Sequence, residues 1–304
     1  MSGVISAING ATRVCGLFGH PVEHSFSPLM HNAAFGALGL NYVYLPFAVR
    51  PENLGMAVDA LRILHLAGVN VTIPHKEAVL GHLDEVSPEA RLIGAVNTVV
   101  NRSGHLVGHN TDGPGFVEAL SRRAGFTPGG KRVLLLGAGG AARAVAVQLA
   151  LAGAELITVV NRSPGRAGKL VELLSGHTAA RAEFLFWDPG STAQSSDFVN
   201  AARLADLIVQ CTPLGMYPGV DLAPEFPFAV LRPGRLVCDL VYNPVRTKFL
   251  IRAEMAGARV VDGLEMLIYQ GALSFALWTG HAAPAGVMRR ALEHYLGQGQ
   301  GDLW

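Results

Sequence analysis

Charge of either sign is scarce. Acidic and basic residues make up 15% of the 304-residue chain, and 24 Lys and Arg against 23 Asp and Glu leave a net charge of +1. No clustered Lys/Arg run is present to neutralise phosphates along a duplex, so no nucleic-acid partner is expected. Cysteine is scarcer. Cys15, Cys211 and Cys238 are odd in number, scattered and without C-x-x-C spacing, which excludes a disulfide framework and a zinc site; no metal and a reducing cytoplasm are expected. Met1 to Val14 lacks a basic start followed by an apolar stretch, so a signal peptide is not expected. Long apolar runs are missing too. Met266 to Met288 has no Asp, Glu, Lys or Arg, but its Gln270, Ser274, His281, Pro284 and three glycines oppose bilayer insertion. A buried helix and no membrane partner are the expectation. No repeat period or low-complexity tract interrupts the chain.

What is present is apolar substance with regular punctuation. Half of the residues are hydrophobic and 36 are glycine, a composition suited to a packed α/β protein, and the length exceeds what one core usually serves. Two domains with a cleft between them follow. In the first third, β-rich runs (Val14–Phe18, Tyr42–Phe47, Val69–Ile73, Val96–Val100) alternate with helical patterns (Pro28–Leu38, Pro51–Leu66, Pro88–Ile93). A helix over Gly115–Ala124 and the turn cluster Thr127-Pro128-Gly129-Gly130 place a boundary near residue 113. Beyond it, strands over Val133–Leu136, Leu156–Val160, Ala182–Phe186, Leu207–Gln210, Leu236–Leu240 and Arg259–Val261 alternate with helical stretches. That alternation predicts a doubly wound parallel sheet of Rossmann type. The last residues read as two helices, Leu264–Thr279 and Ala285–Leu296.

The strand Val133–Leu136 runs into Gly137-Ala138-Gly139-Gly140-Ala141-Ala142, a G-x-G-x-x-A turn that opens a helix. Gly137 permits the tight turn, Gly139 allows a pyrophosphate to approach the backbone, and Ala142 lets helix and strand pack closely. A purely structural glycine turn is the competing reading. Where the next strand ends, dinucleotide binders that prefer NAD carry an acid. Here Asn161-Arg162-Ser163 is followed by Arg166. Two guanidiniums and a hydroxyl suit a ribose 2′-phosphate, so NADP(H) is favoured over NAD. An ordinary solvated helix start is the alternative, but cations there oppose the helix dipole unless an anion is bound.

Four polar clusters lie at the ends of apolar runs in the first domain: His24-Ser25-Phe26-Ser27-Pro28, Asn70-Val71-Thr72-Ile73-Pro74-His75-Lys76, Gly94-Ala95-Val96-Asn97-Thr98 and Gly108-His109-Asn110-Thr111-Asp112-Gly113. Singly each has a plainer explanation. Ser27 before Pro28 reads as a helix N-cap, Asn110 to Asp112 as a turn, and Lys76 as a surface lysine.

Together, the motifs S-x-S-P, N-V-T-x-P-x-K, G-A-V-N-T and N-T-D-G, in this order, resemble the shikimate dehydrogenase family. The resemblance continues through Gly137 to Ala141, Asn161 to Arg166, Cys211-Thr212-Pro213-Leu214-Gly215-Met216, Val241-Tyr242-Asn243-Pro244 and the run from Asp262 to Gln270. It implies NADPH-dependent reduction of 3-dehydroshikimate to shikimate, on the way to chorismate and the aromatic amino acids. By the same resemblance Ser25, Ser27 and Tyr242 hold the substrate carboxylate. Thr72, Lys76, Asn97, Asp112 and Gln270 contact its ring oxygens, with Lys76 and Asp112 as the catalytic pair. Gly137, Ala138, Gly139, Gly140, Ala141, Asn161, Arg162, Ser163, Arg166, Thr212, Met216 and Gly263 bind the cofactor, although Met216 is equally readable as core packing. The resemblance also returns the helix at Leu264 to the first domain. This gives a discontinuous substrate domain, 1–113 with 264–304, and an NADP domain, 114–263. His109 stands where relatives frequently carry an acid, and Ser163 replaces the commoner threonine. A quinate/shikimate dehydrogenase with NAD use and a non-catalytic NADP sensor are the rival readings. The state expected is a monomer or homodimer.

Overall fold

The computed structural model describes residues 8–188 and 195–297; the opening residues of the Met1–Val14 stretch lie outside them. The chain divides into two units. The first comprises Met1–Thr111 and Ile268–Trp304, the second Asp112–Leu267.

In the first unit β1 (Arg13–Gly19), α1 (Ser27–Ala37), β2 (Tyr42–Ala48), α2 (Leu54–Ile63), β3 (Gly68–Val71), β4 (Glu85–Val86), α3 (Pro88–Ile93), β5 (Thr98–Arg102) and β6 (His105–His109) follow one another. Their sheet has the order β2-β1-β3-β5-β6-β4. It is mixed. β1 pairs parallel with β2 and β3, whereas β5 runs antiparallel to both β3 and β6. The β5–β6 hairpin turns on Ser103 and Gly104, both at positive φ (53° and 96°), the geometry of a two-residue type I′ turn. The strand β6 has no counterpart in the sequence reading, and β3 stops at Val71, short of the expected Ile73.

The second unit contains α4 (Asp112–Ala124), β7 (Arg132–Leu136), α5 (Gly140–Leu151), β8 (Leu156–Asn161), α6 (Pro164–His177), β9 (Arg181–Phe186), α7 (Ser196–Leu204), β10 (Leu207–Gln210), β11 (Leu236–Asp239), α8 (Lys248–Met255) and β12 (Arg259–Val261). All six strands are parallel, in the order β12-β11-β10-β7-β8-β9. Numbered within the unit this is 3-2-1-4-5-6, the doubly wound Rossmann order. Val133, Leu134, Leu135 and Leu136 are all fully buried or nearly so, as expected of a central strand covered on both faces.

Two further helices, α9 (Gly263–Thr279) and α10 (Ala285–Gly297), complete the chain. These are the two helices expected over Leu264–Thr279 and Ala285–Leu296, so the stretch Met266–Met288 holds the end of one helix, a break and the start of another. Gly280 at φ +73° terminates α9 and Pro284 precedes α10, both residues that interrupt helices. Gly263 must be glycine, because a Cβ there would lie 2.5 Å from the carbonyl oxygens of both Leu240 and Val241. Among the described residues no helix is long and apolar enough to cross a membrane, and no group of three or more His, Cys, Asp or Glu could hold a metal.

Candidate active site

The strand order of the second unit reverses between β7 and β10, where open α/β sheets receive ligands at the carboxyl ends of their strands. Two loops leave the sheet there, and they touch. Gly137 has φ +110°, and a Cβ on it would lie 3.0 Å from Thr212 Cγ2 and 3.3 Å from the Cys211 carbonyl carbon. Conformation and space therefore both demand glycine. Gly139 and Gly140 are different, since a Cβ on either would meet no heavy atom within 4 Å. α5 starts at Gly140 with no side-chain cap, so its first N–H groups and dipole face outward from a bare backbone cradle. Ala142, fully buried, packs the helix onto the sheet. The cradle fits a pyrophosphate.

At the end of β8 the Asn161 amide donates to the Ser163 carbonyl oxygen at 2.9 Å and closes the turn into α6. The first turn of α6 has no acid, and Ser163 caps nothing with its side chain. Arg162 and Arg166 are exposed, and among the described residues neither has a carboxylate partner. Two unneutralised guanidiniums at a helix N-terminus fit a phosphate, which would reverse the sign of their interaction with the dipole.

The loop after β10 is braced from beneath by residues the sequence reading passed over. Gln210 is fully buried. Its amide nitrogen donates to the carbonyls of Thr212 (3.1 Å) and Leu214 (3.0 Å) and to Asp239 Oδ1 (3.2 Å), and its oxygen accepts from the Thr212 N–H. Asp239 accepts in addition from Thr247 Oγ1 (2.7 Å) and the Val241 N–H (2.9 Å). Burial still pushes its carboxyl up to about 6. Buried polar residues closing two apolar strands, Leu207–Gln210 and Leu236–Asp239, were the available signal. Met216 is 48% exposed, so core packing is ruled out for it. Tyr242 is half-buried in the loop after β11, and burial pushes its phenol up.

In the first unit Ser27 is the first residue of α1, Phe26 occupies the cap position, and no side chain caps the helix. The N-cap reading of Ser27 is thus corrected; Ser25 Oγ instead accepts from the Ser27 N–H at 3.3 Å. The Thr72 N–H donates to Phe18 O, and its carbonyl accepts from the His75 N–H at 2.8 Å. The Lys76 turn is held at both ends. Buried His75 places Nε2 2.6 Å from Val49 O, and Lys76 O accepts from the Val96 N–H at 2.8 Å. This sets the main chain of half-buried Lys76 beside the strand that delivers Asn97.

Asn97 and Gln270 meet in the interior, with Asn97 Nδ2 donating to Gln270 Oε1 at 3.4 Å. Both belong to a buried network the sequence did not reveal. Tyr44 donates to Asn70 Oδ1 at 2.8 Å, and Asn70 Nδ2 donates to Asn97 O, Thr98 Oγ1 and Ser274 Oγ at 3.0 to 3.1 Å. Asn97 Oδ1 takes the Thr111 N–H at 2.7 Å, and Asp112, itself buried, follows Thr111 directly as the first residue of α4. Asn110 donates to Ala95 O. Of the expected substrate residues, Ser25, Ser27, Thr72, Lys76, Asn97 and Gln270 fall in the first unit, Asp112 and Tyr242 in the second.

Known proteins share this architecture. Residues 17–99 match the shikimate dehydrogenase substrate binding domain, 120–209 the shikimate / quinate 5-dehydrogenase family and 263–293 the shikimate 5'-dehydrogenase C-terminal domain. The shikimate dehydrogenase (NADP(+)) of Desulforamulus reducens is 54% identical over 292 residues, 96% of this chain and 98% of that one. The chain belongs to the shikimate dehydrogenase family. Among solved structures, the shikimate 5-dehydrogenase of Thermus thermophilus in complex with NADP(H) and shikimate superposes with TM-score 0.81 at 41% identity, covering 93% of this chain and 99% of that one. The ligand-free 5-ketofructose reductase of a Gluconobacter species superposes with TM-score 0.87 at 37% identity, covering 94% and 100%. His109 has its Nε2 buried without a hydrogen-bond partner. Burial first, and then the Arg102 charge, lower its pKa, which favours the neutral ring.

Proposed function

We propose that this chain is a shikimate dehydrogenase, interconverting 3-dehydroshikimate and shikimate with NADP(H) as a cytoplasmic step toward chorismate and the aromatic amino acids, acting as a monomer or homodimer. The carrying observation is the buried pair of amides, Asn97 and Gln270, in the same unit as Lys76, within a chain that also builds a dinucleotide cradle. The substrate domain is 1–113 with 264–304 and the NADP domain 114–263. Ser25, Ser27 and Tyr242 take the substrate carboxylate, and Thr72, Asn97 and Gln270 its ring oxygens. Gly137, Ala138, Gly139, Gly140 and Ala141 receive the pyrophosphate. Asn161, Arg162, Ser163 and Arg166 receive the 2′-phosphate, and Thr212, Met216 and Gly263 the nicotinamide end.

Bound NADP(H) supplies hydride chemistry. The protein must handle the oxygen, because reduction of a carbonyl leaves negative charge on it that needs stabilisation and a proton. The Lys76 ammonium does both, and in the oxidative direction the same nitrogen accepts the proton. Asp112 is its acidic partner in that transfer. The test is a steady-state assay crossing shikimate and quinate with NADP and NAD. Shikimate with NADP should give the highest kcat/KM. Equal efficiency for quinate with NAD would overturn the substrate and cofactor assignment, and NADP binding without any turnover would leave a binding protein only.

A further inference from the structure

Asn97 and Gln270 have side-chain amides whose two ends are nearly alike in shape and opposite in polarity, so something must decide which end faces the substrate. In this chain the decision is made behind them. The Thr111 N–H can only donate, and its 2.7 Å bond to Asn97 Oδ1 fixes the amide oxygen on that side. Asn97 Nδ2 is thereby turned to Thr111 Oγ1 (2.9 Å) and Gln270 Oε1 (3.4 Å). Gln270, offering its oxygen to Asn97, carries its amide nitrogen on the other side. The chain of choices rests on the backbone amide of Thr111 and on whatever holds Thr111 and Gln270 in register.

That register is held at Ser274. It lies one turn beyond Gln270 in α9 with no solvent exposure, and its hydroxyl donates to the Gln270 carbonyl at 3.0 Å. A mid-helix serine commonly makes that local bond. Its other contacts are not local. Ser274 Oγ also accepts from Asn70 Nδ2 (3.0 Å) and lies 2.7 Å from Thr98 Oγ1 and 3.1 Å from Thr111 Oγ1. Thr98 and Thr111 are themselves 3.3 Å apart, which closes a triangle of three hydroxyls. One oxygen atom therefore ties the helix carrying Gln270 to β3, to β5 and to the residue before Asp112.

We propose that Ser274 is a positioning residue for the substrate: through the hydroxyl triangle with Thr98 and Thr111 it fixes the amide orientations of Asn97 and Gln270, so that the site presents a set polarity to the ring oxygens. The inference rests on the substrate role given above to Asn97 and Gln270. Ser274 itself touches no substrate.

The test is the dissociation constant for shikimate, measured by calorimetry on the full chain, with kcat and KM alongside. Ser274→Ala should weaken shikimate binding on the order of tenfold, the scale of one well-placed hydrogen bond, while leaving the dissociation constant for NADP unchanged. Introduced into an Asn97→Ala background, the same substitution should cost far less, because the amide it orients is gone. Thr98→Val should reproduce the loss and Thr98→Ser, which keeps the hydroxyl, should recover most of it; this pair decides the matter if Ser274→Ala does not fold. Native shikimate affinity in Ser274→Ala, or a full and additive loss in the Asn97→Ala background, would overturn the proposal and leave Ser274 a structural residue. Failure of the parent protein to bind shikimate would instead strike the functional assignment itself.

Discussion

Lowering the pH from 7 to 5 should destabilise the fold by about 2 kcal/mol through His31 alone. The ring of His31, on α1, stacks on Tyr44 with centroids 4.4 Å apart and planes 11° from parallel, with Phe275 and Trp278 around it. Neither ring nitrogen has a hydrogen-bond partner. Burial in this aromatic setting pushes its pKa down from 6.5 to about 3, since nothing nearby repays desolvation of an imidazolium. The folded chain thus keeps His31 neutral while the unfolded chain protonates it as pH falls through 6.5. The stability is complete above that value and declines toward 3, by about 1.4 kcal/mol per pH unit once well below 6.5. Urea unfolding at pH 7 and 5, followed by circular dichroism for the parent and for His31→Phe, measures the effect. The phenyl ring cannot titrate, any constant packing cost cancels between the two pH values, and other titrating groups such as Asp239 are common to both proteins. The parent should lose about 2 kcal/mol more than the variant on acidification. Parallel losses would show that His31 does not hold the neutral state the packing dictates.

Three further outcomes are expected. Lys76→Ala should lower turnover at least about a hundredfold, the usual scale for a proton-transfer group, with the dissociation constant for NADP little changed by fluorescence titration; an undiminished rate would remove the lysine from the mechanism. Arg162→Ala should weaken NADP roughly tenfold or more by loss of a charge-assisted bond and weaken NAD much less, so equal losses would mark the arginine as structural. Gly137→Ala, forced to φ +110° with its methyl 3.0 Å from Thr212, should lower thermal stability by about 1–3 kcal/mol and weaken the cofactor; a variant that keeps both would contradict the turn described here.

The second unit was readable because its signals are local. A buried strand followed by G-x-G-x-x-A needs only neighbours in sequence to declare a turn at a helix N-terminus, and the missing acid at Asn161-Arg162-Ser163 lies a fixed distance further on. The strand over 207–210 emerged with both expected ends, and the one expected over 133–136 starts one residue earlier, at Arg132, and stops where expected, for the same reason. The first unit was harder. The short β6 follows a Ser103-Gly104 turn, a hairpin signal that the polar sequence around it obscured. Ser27 next to Pro28 looked like a cap because that pair usually is one, yet the helix begins a residue earlier than the pattern suggests. The network around Asn97 joins residues more than 160 positions apart, Thr111 and Ser274 among them, and no periodicity carries such a contact. Gln210 and Asp239 were legible only in retrospect, as polar ends to apolar strands whose purpose is the loop above them.

Hydride transfer itself can be observed without inference from rates. Shikimate carrying deuterium on the carbon whose hydroxyl is oxidised, incubated with the protein and NADP, should yield reduced cofactor that carries the deuterium when examined by mass spectrometry, together with unlabelled 3-dehydroshikimate. Reduced cofactor without the label, or no reduced cofactor at all in a protein that binds both molecules, would contradict the account.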